Sequence, residues 1–212
     1  LDQERLKQYL AEHLPAGDGS GDLSLAQFDA GQSTPTYLVS FSGKRYVLRK
    51  KPPGKLLPSA HAVDREFRIM KALAQTDVPV PNVRVLCDDD SVIGTIFYVM
   101  DFIEGRVFKD PGLPSLAAAQ RGQVFESAAT TLAGLHRVDW RAAGLETYGK
   151  SSDYIARQIK RWSGQYEASK TEDIADMDNL TAWLRDNMPE DVNEPHNVTI
   201  AHGDFRIDNM IY

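Results

Sequence analysis

The hydrophobic period of the chain shifts from mostly strand-like to mostly helical near Glu104, and this change narrows the fold more than any other feature. Before it, apolar residues fall in short alternating runs; after it, they recur at three- and four-residue spacing. Residues 25–28, 36–41 and 45–49 read as three antiparallel strands, with Ser42-Gly43-Lys44 as a tight connection between the last two. Pro52-Pro53-Gly54 stops the third strand, because proline has no N–H for a ladder. A short helix over residues 3–14 precedes them, with Leu6, Tyr9 or Leu10, and Leu14 in register. Pro15 and the glycines at 17, 19 and 21 then break it. Residues 59–73 give the clearest helix of this half, with Val63, Phe67, Met70 and Leu73 in one stripe. Two apolar runs, 83–87 and 95–102, read as strands joined through Asp88-Asp89-Asp90-Ser91.

The rest is helical in pattern. Ser115 is placed to cap a helix reaching His136, with Leu116, Val124, Phe125, Ala128, Leu132 and Leu135 inward. Ser152 is placed to cap another through Trp162, and Leu180, Trp183 and Leu184 mark a third. Residues 198–201 return to strand character before His202. The expected fold class is α+β. A β-rich N-terminal lobe with one inserted helix and a leading helix spans residues 1–102, and a mostly helical C-terminal lobe spans 103–212.

Composition removes several function classes. A chain of 212 residues buries about 70% of its unfolded surface, so a core forms without disulfide or metal staples. No apolar run approaches the roughly 20 residues of a membrane span, and the charged start is unlike an export leader. Cys87 is the lone cysteine, which points to a reducing, cytoplasmic setting. The net charge is −6; residues 1–100 carry 12 basic and 12 acidic side chains, and 101–212 carry 12 and 18. A nucleic-acid surface needs clustered Lys and Arg, so neither nucleic acid nor membrane is the expected partner. The acidic second half leaves a cationic partner open beside a solvated acidic face.

Two nucleotide signatures fail. The glycines at 17, 19 and 21 lack a preceding strand and a following helix, and Gly54-Lys55 lacks the rest of a P-loop. The informative segment is His202-Gly203-Asp204-Phe205-Arg206-Ile207-Asp208-Asn209. Phosphoryl transfer to a hydroxyl needs a carboxylate beside the attacking oxygen and an oxygen ligand for the magnesium on the phosphates. Asp204 and Asn209, five positions apart on one loop, supply both. By composition alone, His196, His202, Asp204 and Asp208 also allow a metal hydrolase.

With that loop, the chain resembles the aminoglycoside phosphotransferase and choline kinase superfamily, whose catalytic loop reads H-G-D-x-x-x-x-N and whose fold is protein-kinase-like. Residues 46–63 and 135–140 resemble the branch of kinase-like domains fused to acyl-CoA dehydrogenases. The resemblance implies an ATP- and Mg²⁺-dependent phosphotransferase acting on a hydroxyl of a small molecule, a hydroxyacyl metabolite or an aminoglycoside-like compound. In it Asp204 is the catalytic base and Asn209 the metal ligand. Gly31, Ser33 and Thr34 cover the nucleotide phosphates, and Met100 and Phe102 lie in the segment that meets the adenine. Val47 and Arg49 share one face of their strand, since side chains alternate; the resemblance puts Val47 over the adenine and Arg49, in place of the usual lysine, on the phosphates. Glu66 flanks its helix stripe and points toward the sheet, where the resemblance makes it the partner of Arg49. On spacing alone, Gly31 to Thr34 is equally an ordinary turn, Arg49 a strand-end cation and Glu66 a surface charge. The resemblance implies a second magnesium-binding Asp after the loop, and none occurs before Tyr212; either the site is incomplete or, as expected here, the natural chain is longer. The alternative is a non-catalytic nucleotide-binding module of the same fold.

Overall fold

The computed structural model describes residues 1–14, 21–28, 34–52 and 62–212. Chain order is α1 (Gln3–His13), β1 (Leu23–Gln27), β2 (Thr36–Phe41), β3 (Lys44–Lys50), α2 (Val63–Leu73), β4 (Val83–Cys87), α3 (Asp90–Ile93) and β5 (Phe97–Asp101). There follow α4 (Ala118–Arg137), α5 (Tyr154–Ser169), α6 (Ala175–Asp186) and two 3₁₀ turns, Pro195–Asn197 and Ile207–Asn209. Two compact units result: Leu1–Leu135 with His202–Tyr212, and His136–Ala201. No helix among the described residues is long and apolar enough to cross a membrane.

In the first unit the five strands form one antiparallel sheet in the order β1-β2-β3-β5-β4. Ser42 and Gly43, both with positive φ, close the β2–β3 hairpin. Strand alternation then sorts the side chains. Val39, Phe41, Tyr46, Leu48, Phe97 and Val99 pack with Leu6 and Leu10 of α1, with Leu14 just after it, and with Val92 and Ile93 of α3. Leu6 and Leu10 are fully buried, each contributing about 1.5–3 kcal/mol by leaving water. On the opposite face α2 packs against β4 and β5. Here the β3–β5 register sets Val47 opposite Met100 and Arg49 opposite Tyr98.

A second core cluster fastens the chain end. Leu113, Val124, Ala128 and Ile207 are buried together, with Phe205, Met210 and Tyr212 packed on them. Tyr212 exchanges backbone hydrogen bonds with Arg106, at 2.8 and 3.0 Å. The segment 210–212 is thus paired at its last residue. A Cβ on Gly105 would collide with Ile211 and sit 2.8 Å from the Tyr212 carbonyl, so this close approach requires glycine.

Several expected elements differ. The Asp-rich connection before β5 contains α3, because Asp89 caps it through Ser91 N–H at 2.8 Å and Gly94, at φ 82°, ends it. Helix α4 starts at Ala118 rather than after a Ser115 cap, and Phe125 faces solvent at 49% exposure. Helix α5 begins after Asp153, which takes a left-handed conformation and pairs with Asn193, and it runs on past Trp162 to Ser169. Residues 198–201, in the second unit, form no strand. Trp140 Nε1–H donates to the Val198 carbonyl at 3.1 Å and Thr199 Oγ1–H to the His136 carbonyl at 2.6 Å, so side-chain anchors replace a ladder.

Candidate active site

On the α2 side of the sheet, three polar groups converge. Arg49 and Tyr98 are cross-strand neighbours, and α2, seated by the fully buried Val63, brings Glu66 over both. Arg49 Nη1 lies 3.1 Å from Glu66 Oε2, and the Tyr98 hydroxyl donates to the same oxygen at 2.9 Å. Tyr98 is fully buried, with Phe67 of α2 edge-on to its ring. Burial pushes the Tyr98 phenol well above its ordinary value; the Arg49 charge opposes the rise and Glu66 adds to it. The phenol therefore stays a donor across the neutral range. Tyr98 was missed by sequence reasoning: its one signal was a hydroxyl inside a uniformly apolar run.

The second cluster is local in sequence. Gly203, at φ 83°, turns the chain after His202, and the Asp204 N–H donates to His202 Nδ1 at 3.3 Å. The His202 ring packs edge-on against Phe205, a structural role for this histidine. Ile207 plugs the loop into the core, which leaves Asp204, Arg206 and Asn209 outward. Asn209 Nδ2 donates to the Asp204 carbonyl and to Asp204 Oδ2, both at 2.9 Å. Arg206 is engaged rather than open to a ligand: its Nε is 3.2 Å from Asp204 Oδ1 and its Nη2 is 3.2 Å from Asp208 Oδ2. This bridging role was also not foreseen.

The remaining expected residues divide. Gly31 and Ser33 lie outside the described residues. Thr34 is buried, and its carbonyl accepts from the Thr36 hydroxyl at 3.0 Å. Val47 is buried on the Arg49 face and Met100 is half-buried beside it. The Phe102 N–H donates to the Arg45 carbonyl at 3.3 Å, and its ring lies under the Arg45 guanidinium at 4.5 Å.

The donor sets suit a magnesium nucleotide. Arg49 Nε is buried without a hydrogen-bond partner among the described residues, so its guanidinium has capacity beyond Glu66. The Asn209 amide meets Asp204 through nitrogen, which keeps its oxygen available to a hard cation. Among the described residues no group of three His, Cys, Asp or Glu able to hold a metal occurs, so His196, His202, Asp204 and Asp208 make no such cage. Magnesium matches this sparse set, since it keeps waters and phosphates as ligands and takes one or two from protein.

Known proteins resemble this chain over its whole length. Acyl-CoA dehydrogenase family member 10 of Mus musculus is 45% identical over 212 residues, covering all of this chain and 19% of the mouse protein. Family member 11 of Gallus gallus is 46% identical over 214 residues, covering all of this chain and 27% of the chicken protein. The chain thus spans about a fifth to a quarter of these curated relatives. A crystal structure from Ralstonia eutropha, named provisionally as an aminoglycoside phosphotransferase, superposes with a TM-score of 0.86 at 42% identity, over 100% of this chain and 60% of that one. Choline kinase from Cryptosporidium parvum shares the fold alone, with a TM-score of 0.62 at 14% identity over 100% of this chain and 61% of that one. The fold is therefore α+β and protein-kinase-like. Residues 24–212 match the model of the phosphotransferase enzyme family, and the chain belongs to that family.

Proposed function

We propose that this chain carries the nucleotide and catalytic elements of an ATP-dependent phosphotransferase that moves the γ-phosphoryl group to a hydroxyl of a small molecule. The observation that carries the reading is the Asp204–Asn209 contact at 2.9 Å, a carboxylate and a metal-competent amide fixed side by side on one plugged loop. Asp204 orients the acceptor hydroxyl and takes its proton at a carboxylate oxygen. Asn209 offers its amide oxygen to Mg²⁺, which, when bound, neutralises charge on the phosphates. Arg49 grips the α and β phosphates with a fork that cannot lose its charge, and Glu66 positions Arg49. Gly31, Ser33 and Thr34 cover the phosphates, while Val47, Met100 and Phe102 border the base. Residues 1–102 form the nucleotide lobe in this reading and residues 103–212 the helical lobe with the catalytic loop. Alignment and charge neutralisation supply most of the rate.

The acceptor class follows the relatives: a hydroxyacyl metabolite comes before an aminoglycoside-like compound, because the 45% and 46% identical proteins are named as acyl-CoA dehydrogenase family members. The lone, buried Cys87 favours a reducing cytoplasmic setting. The test is ADP release by the full-length protein with Mg-ATP and a panel of hydroxylated acyl compounds and aminoglycosides. The D204N variant is expected to lose about 10² to 10⁴ in turnover while ATP affinity is retained. If the wild-type protein binds ATP yet turns over no acceptor, the chain is the non-catalytic nucleotide-binding module instead.

A further inference from the structure

In the second unit, α5 and α6 leave a groove of about 370 Å³ between them, lined by Ala156, Ile159, Lys160, Arg185 and Met188. This volume lies in the range of small-ligand cavities. Ala156, Ile159 and Lys160 share one face of α5 at three- and four-residue spacing, and Arg185 and Met188 come from the end of α6 and the turn after it. Apart from the weakly accepting Met188 thioether, the lining side chains contain no hydrogen-bond acceptor, so the side chains of the groove offer donors and apolar surface.

Its charge runs against its surroundings. Residues 136–201 carry twelve Asp and Glu against eight Lys and Arg, yet the groove is walled by two cations and no acid. Two other cations of this unit are already occupied: Lys170 pairs with Asp173 and Asp178, and Arg157 donates to the Ser152 and Lys150 carbonyls. The Lys160 and Arg185 side chains have no hydrogen-bond or ion-pair partner among the described residues. The larger cavity of the first unit, about 450 Å³ beside Phe102, has a different charge balance: its lining includes two acids, Asp101 and Glu104, which pair with Arg84 and Arg45 and leave Lys44 as its one further cation.

We propose that the α5–α6 groove binds an aliphatic carboxylate, with the tail on Ala156, Ile159 and Met188 and the anionic head between Lys160 and Arg185. Such a ligand brings acceptors where the side chains of the groove supply donors, and its negative charge complements the two cations of the lining. Met188 suits a tail of variable shape, since its thioether chain repacks readily. Polycations and amine-rich sugars are repelled by the same two side chains. The site stands independently of whether Asp204 transfers a phosphoryl group.

The test uses the full-length protein and sodium decanoate below its micelle concentration, followed by isothermal titration calorimetry. A photoreactive diazirine analogue of decanoate, mapped by mass spectrometry, locates the bound tail without any substitution. The expected result is saturable binding, cross-links within residues 155–160 or 184–188, no binding of decyltrimethylammonium, and affinity reduced at least tenfold in the K160Q/R185Q double variant. Absence of saturable binding, cross-links confined to other segments, equal affinity for the cationic amphiphile, or unchanged affinity in the double variant would each overturn it. Both positions are exposed, so the variants keep the fold.

Discussion

Arg49 and Glu66 meet at 3.1 Å with 31% and 32% of their side chains exposed, whereas Arg206 meets Asp204 at 3.2 Å with 60% and 64% exposed. The distances are nearly equal and the environments are not. The first pair sits on a sheet face with a buried tyrosine hydroxyl on the same carboxylate oxygen, where removing Glu66 strands the Tyr98 hydroxyl away from water. The second is flanked by solvent and screened by it, so its geometry comes from the loop rather than the reverse. Distance alone therefore does not rank the two pairs as structural elements. What ranks them is how much of each group has left water.

The loop cluster should break first where it is dry. Ile207 is 7% exposed and is the one residue of the Asp204–Asn209 turn inside the core. The I207A variant is expected to lose about 2–5 kcal/mol of unfolding free energy, measured by urea denaturation of the full-length protein, more than any change to the loop's charged side chains. A loss below that of R206Q would mean the ion pairs, not the plug, set the loop.

On the sheet side, E66A removes the acceptor shared by Arg49 and Tyr98. The expected cost is about 1–3 kcal/mol, from a buried hydroxyl left without its partner. If Glu66 positions Arg49 for the phosphates, the KM for ATP rises by a larger factor than kcat falls; an unchanged KM would remove Glu66 from the nucleotide site and leave it a structural acid.

Periodic features were readable in the sequence and contingent ones were not. The face shared by Val47 and Arg49 followed from strand alternation, and the inward aim of Glu66 from its place beside Val63, because both depend on spacing within a single element. The placing of Asp204 and Asn209 on one loop was readable because a stretch of six residues holds both; the 2.9 Å contact between them came from the fold. Tyr98 was hidden because its role depends on which strand pairs with β3, a long-range choice that a local apolar run does not encode. Arg206 was hidden because two acids within two residues allow several pairings. Residues 198–201 misled for a related reason: their apolar texture is that of a strand, but Trp140, 58 positions earlier, takes the Val198 carbonyl. The left-handed Asp153 start of α5 likewise answers to Asn193, 40 residues on.

The Y98F variant sharpens the sheet side without removing the ion pair. It deletes one hydrogen bond and keeps the ring packed on Phe67, so the expected loss is about 1 kcal/mol at neutral pH. The difference shrinks in base. Tyr98 has a folded-state pKa above its ordinary 10.0, so above pH 10 the unfolded chain loses this proton first and the wild-type protein loses stability as pH rises. The Y98F variant has no such proton to lose, so the stability gap between the two proteins narrows above pH 10 and is constant below it. A gap that widens in base would mean the phenol is not held protonated by burial.

The smallest effect belongs to Arg206. With 60% of its side chain in solvent, the R206Q variant is expected to change the unfolding free energy by less than about 1 kcal/mol, even though it deletes two ion pairs at once. The glutamine leaves Asp204 held by Asn209 at 2.9 Å and leaves Ile207 in the core, so the loop keeps its shape. Raising ionic strength should narrow the wild-type advantage further, because exposed charges are screened within about 10 Å at 0.1 M salt, whereas the loss in E66A should respond less. Equal salt sensitivity of the two variants, or an R206Q loss as large as that of E66A, would show that solvent exposure does not separate these clusters.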